Sequence, residues 1–210
     1  MSVLNKLASA QNRQDDRPNQ ELAQELVREN NVNGVQEIAA NLRNPDPKIQ
    51  SDCIKVLYEI GYLKPLLLKD FVQDFLKLIH SKNNRLVWGG MIALSTIAEL
   101  TAPTIFAHLD ELLKIIEKGS VITKDSGIKT LALVAGTNPA YRAKIFPYLL
   151  QHLKQCRPKE IPMHAEFIRS AVDATNKNAL VKVLDLRQEV LTPTQLKRVE
   201  KLLRQLETIT

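Results

Sequence analysis

Residues 84–118 read NRLVWGGMIALSTIAELTAPTIFAHLDELLKIIEK. The stretch reads as two helices with Pro103 between them. The first, through Ala98, is apolar on nearly every side. The second repeats apolar residues at i, i+3, i+4 and i+7, the mark of one buried helical face. The same unit recurs on both sides. Pro65, Pro103 and Pro139 are spaced by 38 and 36 residues. Nineteen residues before each prolyl position stand Asp46, Asn84 and Ser120. All three side chains can accept an orphan N–H of a first helical turn. Pro47 then falls at a first helical position, where its missing donor costs nothing.

The apolar positions keep this register. Ile54, Ile92 and Ile128 correspond, as do Ile60, Ala98 and Val134. Ile97 and Leu133 correspond to Glu59, a polar exception. In the second helices Val72, Phe75, Leu76 and Ile79 recur 37 residues on as Leu109, Leu112, Leu113 and Ile116. They recur again as Phe146, Leu149, Leu150 and Leu153, and 37 residues earlier as Val35, Ile38, Ala39 and Leu42. All sixteen are apolar. One helical hairpin cannot bury such faces alone; stacked hairpins bury them in a continuous core.

Asn44-Pro45-Asp46-Pro47-Lys48-Ile49-Gln50, followed by Cys53, Leu57, Ile60 and Gly61, resembles the first helix of a HEAT repeat. The units starting at Asn83 and Ser120 are similar but lack the Asp-Pro. The resemblance covers most of residues 18–190. It implies an all-α fold, a right-handed α-α superhelix (HEAT-like solenoid) of about five helical hairpins with a C-terminal capping helix. It also implies a macromolecular partner, and it carries no shared catalytic residues.

The expected boundaries follow. Residues 1–17 read as a mobile N-terminal segment, with a short helix at Val3–Ala10, and 18–210 as a single solenoid domain. A helix opens at Pro18, and 34–42 is the second helix of the first unit. Further units span 46–80, 84–118 and 120–155. A degenerate fifth runs Pro158–Thr175 and Lys177–Leu191. A last amphipathic helix starts at Pro193, capped by Thr192 or Thr194, with Leu196, Val199, Leu202, Leu203 and Leu206 inward.

Hydrophobic residues make up 44% of the 210 and charged residues 25%, as in ordinary globular chains. No 18-residue uncharged apolar run exists, so no membrane span is expected. Cys53 and Cys156 fall in different repeats, which reads as a reduced, cytoplasmic protein. Residues 1–137 hold 16 Lys/Arg against 16 Asp/Glu; residues 138–210 hold 13 against 7, which is the entire net +6. The basic character belongs to the C-terminal third.

The solvent side of the second helices is the candidate partner-binding ridge. It carries Asp70, Gln73, Asp74 and Lys77, then Ala107, Asp110, Glu111 and Lys114, then Lys144, Pro147, Tyr148 and Gln151, with Glu37 extending it in the first unit. Trp88, the only tryptophan, is either a partner anchor or a seal between repeats. Gly89 and Gly90 beside it cost roughly 1 kcal/mol each relative to Ala, which points to close helix approach. Pro147 should kink the fourth second-helix or mark its late start. His152 and Cys156 share a helix face, with His164 not far on. Two ligands at i and i+4 can begin a zinc site, but no second Cys/His pair follows, so no metal is expected.

There is no Gly-rich phosphate loop, GxSxG, HExxH or paired-carboxylate motif, so neither an enzyme nor a cofactor is expected. Two function classes stand. The first is a non-enzymatic scaffold that binds another protein or peptide through the ridge. The alternative is a nucleic-acid-binding HEAT-like protein whose phosphate contacts would be Arg142, Lys154, Arg157, Lys159, Lys197, Arg198, Lys201 and Arg204. A bacterial DNA-repair glycosylase family on HEAT-like repeats is the enzymatic precedent. It uses aromatic residues and an aspartate over a basic cleft. Here Asp125, equivalent in register to Gly89, is only a weak match.

Overall fold

A computed structural model describes residues 2–209. Among them all regular structure is helical, with twelve α-helices joined by short 3-10 turns. The chain divides into two compact units, Met1–Gly127 and Ile128–Thr210, and the division falls inside one helix.

Unit 1 holds α1 (Arg17–Arg28), α2 (Val32–Ala40), α3 (Pro47–Leu63), α4 (Val72–Leu78), α5 (Asn84–Ile97), α6 (Ala102–Ala107), α7 (Leu109–Lys118) and the first turns of α8 (Val121–Thr137). The expected first helices α1, α3 and α5 pack in succession, and α4 packs on α5. Asp46 caps α3 as expected, accepting from the Lys48 N–H at 2.8 Å. Asn83, not Asn84, caps α5, because Asn83 holds the extended backbone that precedes a first turn. Ser120 accepts from the Thr123 N–H at the start of α8. The second helix of the third unit is broken at His108 into α6 and α7. Asn30 adopts φ 49° in the α1–α2 turn, a left-handed position that asparagine tolerates.

Unit 2 holds the rest of α8, α9 (Pro139–Gln155), α10 (Ile161–Ile168), α11 (Lys177–Arg187) and α12 (Pro193–Glu207). α9 begins eight residues before Pro147 and runs through it, so Pro147 does not mark a late start. Thr192 caps α12 in a reciprocal capping box with Gln195. Val199, Leu202 and Leu206 are buried as α12 packs on α10 and α11.

Across the two units, thirteen of the sixteen repeat positions are buried; Leu109, Leu113 and Leu150 are half-buried. The glycine reading also holds. A Cβ on Gly89 would meet Ile54 Cγ1 at 2.7 Å, and one on Gly90 would meet Leu78 Cβ at 3.0 Å. α3 and α4 approach α5 there too closely for a side chain.

The N-terminal segment differs from the expectation of mobility. Val3, Leu7 and Ala8 are buried. The Ala8 N–H donates to Asn19 Oδ1, Asn19 Nδ2 donates to Asp52 Oδ1 at 2.8 Å, and the Ser9 N–H donates to Asp52 Oδ2. Buried polar groups that find partners add to the apolar anchors, and the segment is held on α1 and α3.

Candidate binding surface

The ridge of unit 1 is built by α4 and α7. Its buried stripe is fixed by Phe75 on one helix and by Leu112 and Ile116 on the other. The period of 3.6 then turns residues 73 and 77, and 110, 111 and 114, outward, and Asp70 precedes α4 in the 3-10 turn Lys69–Phe71. Asp70, Gln73, Lys77, Asp110, Glu111 and Lys114 are exposed; Asp74 is half-buried and accepts from Arg43 Nη2 at 2.7 Å. Glu111 lies 3.3 Å from His108 Nδ1 and 3.4 Å from His80 Nε2. The His108 hydrogen bond holds its carboxyl below the usual range.

Two clefts open along this ridge. One, of about 350 Å³, runs between the end of the α2 region and α4 and is lined by Arg43, Asp74, Lys77 and Leu86. The other, of about 450 Å³, lies between α5 and α7 and is lined by His80, Val87, Glu111, Lys114 and Ile115. Asp74 and Lys77 stand 37 residues before Glu111 and Lys114. The same acid–lysine pair therefore recurs in the repeat register, each time at the wall of a cleft. Glu37 stands 37 residues before Asp74 and is half-buried. Ser2 Oγ and the Val3 N–H donate to its carboxylate, which holds the N-terminal segment and lowers its pKa.

Trp88 is half-buried in α5. Its ring centroid lies 6.2 Å from that of Tyr58 on α3, and the Arg85 guanidinium sits 5.6 Å from it. These contacts favour the sealing role over the anchor. Lys144 is exposed and Tyr148 half-buried on α9 in unit 2.

The basic residues of unit 2 are partly neutralised within it. Arg142 pairs with Asp173, Arg157 with Glu160, and Arg198 makes a two-pronged contact with Glu166 at 3.1 and 2.7 Å. Lys154, Lys159, Lys197, Lys201 and Arg204 are exposed.

One feature escapes the sequence reading. A cleft of about 600 Å³ is walled by the docked N-terminal segment, with Ser9, Arg13, Asp16, Lys48 and Arg85 in its lining. The Val3–Leu7–Ala8 spacing was the signal for it. A polar cluster inside unit 2 gathers the three residues that the sequence placed near one another without expecting a metal. His152 Nε2 and His164 Nδ1 are 2.8 Å apart, and His152, Cys156 and His164 bring ligand atoms within 4.8 Å of one another. α10 supplies the third residue without a sequence spacing that announces it. Burial pushes the Cys156 thiol up to about 11.

No protein-family model matches the chain, and no curated protein does. Solved structures do match. An engineered protein aligns over 99% of this chain and 98% of its own at 17% identity, with a TM-score of 0.64. A designed armadillo repeat protein in complex with the peptide (KR)4 aligns over 88% of this chain and 85% of its own at 14% identity, TM-score 0.68. Kap121p bound to Pho4p aligns over 95% of this chain at 16% identity, TM-score 0.64, and the match spans only 22% of that longer chain. At these identities the likeness establishes the fold, an all-α helical-repeat solenoid. No described helix is long and apolar enough to cross a membrane.

Proposed function

We propose that this chain is a non-enzymatic scaffold whose unit 1 docks an extended segment of another protein, with basic side chains of that segment against the acids of the ridge. One observation carries the reading: the acid–lysine pair repeated 37 residues apart, Asp74 with Lys77 and Glu111 with Lys114, each at a cleft. A repeated site fits a repeated ligand. Packed helices lie about 10 Å apart, and an extended chain advances about 3.3 Å per residue, so a basic residue about every third position meets successive acids. The lysines beside the acids favour a charge-patterned partner over a uniformly basic one. The peptide complex formed by the designed armadillo repeat protein is a precedent for a peptide on this fold.

The test is fluorescence anisotropy with a labelled twelve-residue peptide bearing Lys at every third position, at low salt. Binding that weakens with salt, and that is lost in Asp74→Lys/Glu111→Lys, is expected. Equal binding by the charge-reversed variant, or none by the native chain at low salt, overturns the reading. Single- and double-stranded DNA in the same assay address the alternative. Steeply salt-dependent retention of DNA, lost on neutralising Lys197, Lys201 and Arg204, would move the site to unit 2.

A further inference from the structure

The polar cluster in unit 2 has the composition and the spacing of a metal centre. His152 lies in the last turn of α9, and Cys156 ends that helix, its N–H donating to the His152 carbonyl. The two side chains therefore leave the same face one turn apart. The 3-10 turn Pro158–Glu160 reverses the chain, and α10 brings back His164, which is fully buried. Cys156 is buried and His152 half-buried, so the cluster meets solvent on the His152 side.

We propose that His152 Nε2, Cys156 Sγ and His164 Nδ1 form a three-ligand transition-metal site, selective for Zn(II), with a fourth position filled from solvent. The chemistry of the donors selects the ion. Two imidazoles and a thiolate suit zinc and its neighbours, and exclude calcium and magnesium, which demand oxygen. The geometry is close to what zinc needs. With Zn–N at about 2.0–2.1 Å and Zn–S at about 2.3 Å, a tetrahedral site holds its nitrogens about 3.3 Å apart and nitrogen and sulfur about 3.6 Å apart. The ring nitrogens here are 2.8 Å apart, and the whole set lies within 4.8 Å. Small side-chain rotations bring all three to one ion.

Charges near the cluster bear on the metal-bound form. Binding requires loss of the Cys156 proton and a tautomer shift that moves the ring proton between the histidines to that ring's other nitrogen. Burial favours the Cys156 thiol, and the Arg187 guanidinium, which donates to the carbonyls of Leu153 and Cys156 at 2.7 and 2.8 Å, opposes it. Glu160, whose carboxylate is tied to Arg157, lies within electrostatic reach of His164 and offsets the positive charge of an ion. A bound ion would tie the end of α9 to α10, where unit 2 has lost the apolar repeat.

The test uses the full chain, stripped with a chelator and titrated with Co(II). One equivalent should produce the visible bands of a tetrahedral ion and a near-ultraviolet thiolate-to-cobalt band, and Zn(II) should bleach both. Added Zn(II) should raise Tm in proportion to the logarithm of its free concentration. Cys156→Ser should lose the thiolate band, and His152→Ala should weaken affinity by more than about 100-fold, beyond the effect of an outer-shell change. Circular dichroism and the metal-free unfolding transition show whether each variant is folded. A folded native chain that leaves Co(II) as the octahedral aquo ion overturns the site. So does a thiolate band that persists in Cys156→Ser, or affinity unchanged in a folded His152→Ala.

Discussion

Unit 1 and unit 2 solve the same packing problem with different chemistry. In unit 1 the helices meet over glycine: Gly61 faces Thr96, Gly89 faces Ile54, and Gly127 faces Ile116. Its ridge charges are turned outward on α4 and α7, and its buried charges are paired, Asp52 with Asn19 and the Ser9 N–H and Lys55 with Glu59. In unit 2 the α9–α10 corner is filled by His152, His164 and Cys156, with Arg187 and Glu160 around them. Apolar contact needs no particular orientation and tolerates a regular repeat. A polar interior holds only while each donor and acceptor keeps its partner. Where unit 2 gave up the repeat, it took on chemistry that a repeat does not need.

The largest effect should come from breaking the apolar side of this contrast. Phe75 is fully buried under α5, and Phe75→Ala should lower the unfolding free energy by about 3–5 kcal/mol through lost burial and a residual cavity. Chemical denaturation followed by circular dichroism measures it. A loss below about 1 kcal/mol would mean that the α4–α5 seam can collapse and is not close-packed. Next is Gly61→Ala. The added methyl would meet Thr96 Oγ1 at 2.1 Å, and overpacking of this kind costs about 1–3 kcal/mol. Thr96→Ala in the same chain should recover most of it, a coupling that a double-mutant cycle isolates.

The polar side is tested by Arg187→Met, which keeps much of the side-chain volume and removes both bonds to the α9 terminus. The Leu153 and Cys156 carbonyls then lose their donors, at about 1–3 kcal/mol. If the variant is as stable as the native chain, water replaces the guanidinium and the corner is not specified by it.

The two cysteines sharpen the comparison through pH. Burial, the largest cause in each, pushes Cys53 up to about 12 and Cys156 up to about 11. Arg187 opposes it at Cys156, while Asp52 and Glu37 reinforce it at Cys53. The folded chain therefore holds thiol protons that the unfolded chain releases near pH 9. This stability is fully present below pH 9 and falls as pH rises, by up to about 1.4 kcal/mol per pH unit per thiol. In unfolding free energies measured across this range, Cys53→Ala should flatten the decline up to about pH 12, and Cys156→Ser only up to about pH 11. An unchanged slope in both variants would mean that burial does not raise these thiols.

Legibility followed the same divide. The helices of unit 1, the caps Asp46 and Ser120 and the close approach at Gly89–Gly90 were readable because apolar period, cap chemistry and glycine all report local geometry. Residues 1–17 misled because QNRQDD is polar and unpatterned, while the anchors Val3, Leu7 and Ala8 are too few to make a period. The ridge residues were readable as exposed positions, but the clefts beside Asp74 and Glu111 depend on how helices pack. The His152–His164 contact was out of reach, since a twelve-residue separation with a turn between carries no register.

The smallest effect on stability should come from the ridge itself. Asp74 pairs with Arg43, whose side chain is 71% exposed, and such pairs contribute little because water screens them and both side chains lose freedom. Asp110 is exposed and begins α7 in a turn that favours acids only weakly. Asp74→Ala and Asp110→Ala should each stay within about 0.5 kcal/mol of the native chain in denaturant titrations. The same substitutions remove charges that a basic segment would meet, so peptide binding should weaken while the midpoint hardly moves. That separation, read at Asp74, decides between two meanings of the repeated acid. A large loss of stability would make the acid–lysine pair part of how unit 1 holds its second helices together. Lost binding at unchanged stability leaves recognition as its role.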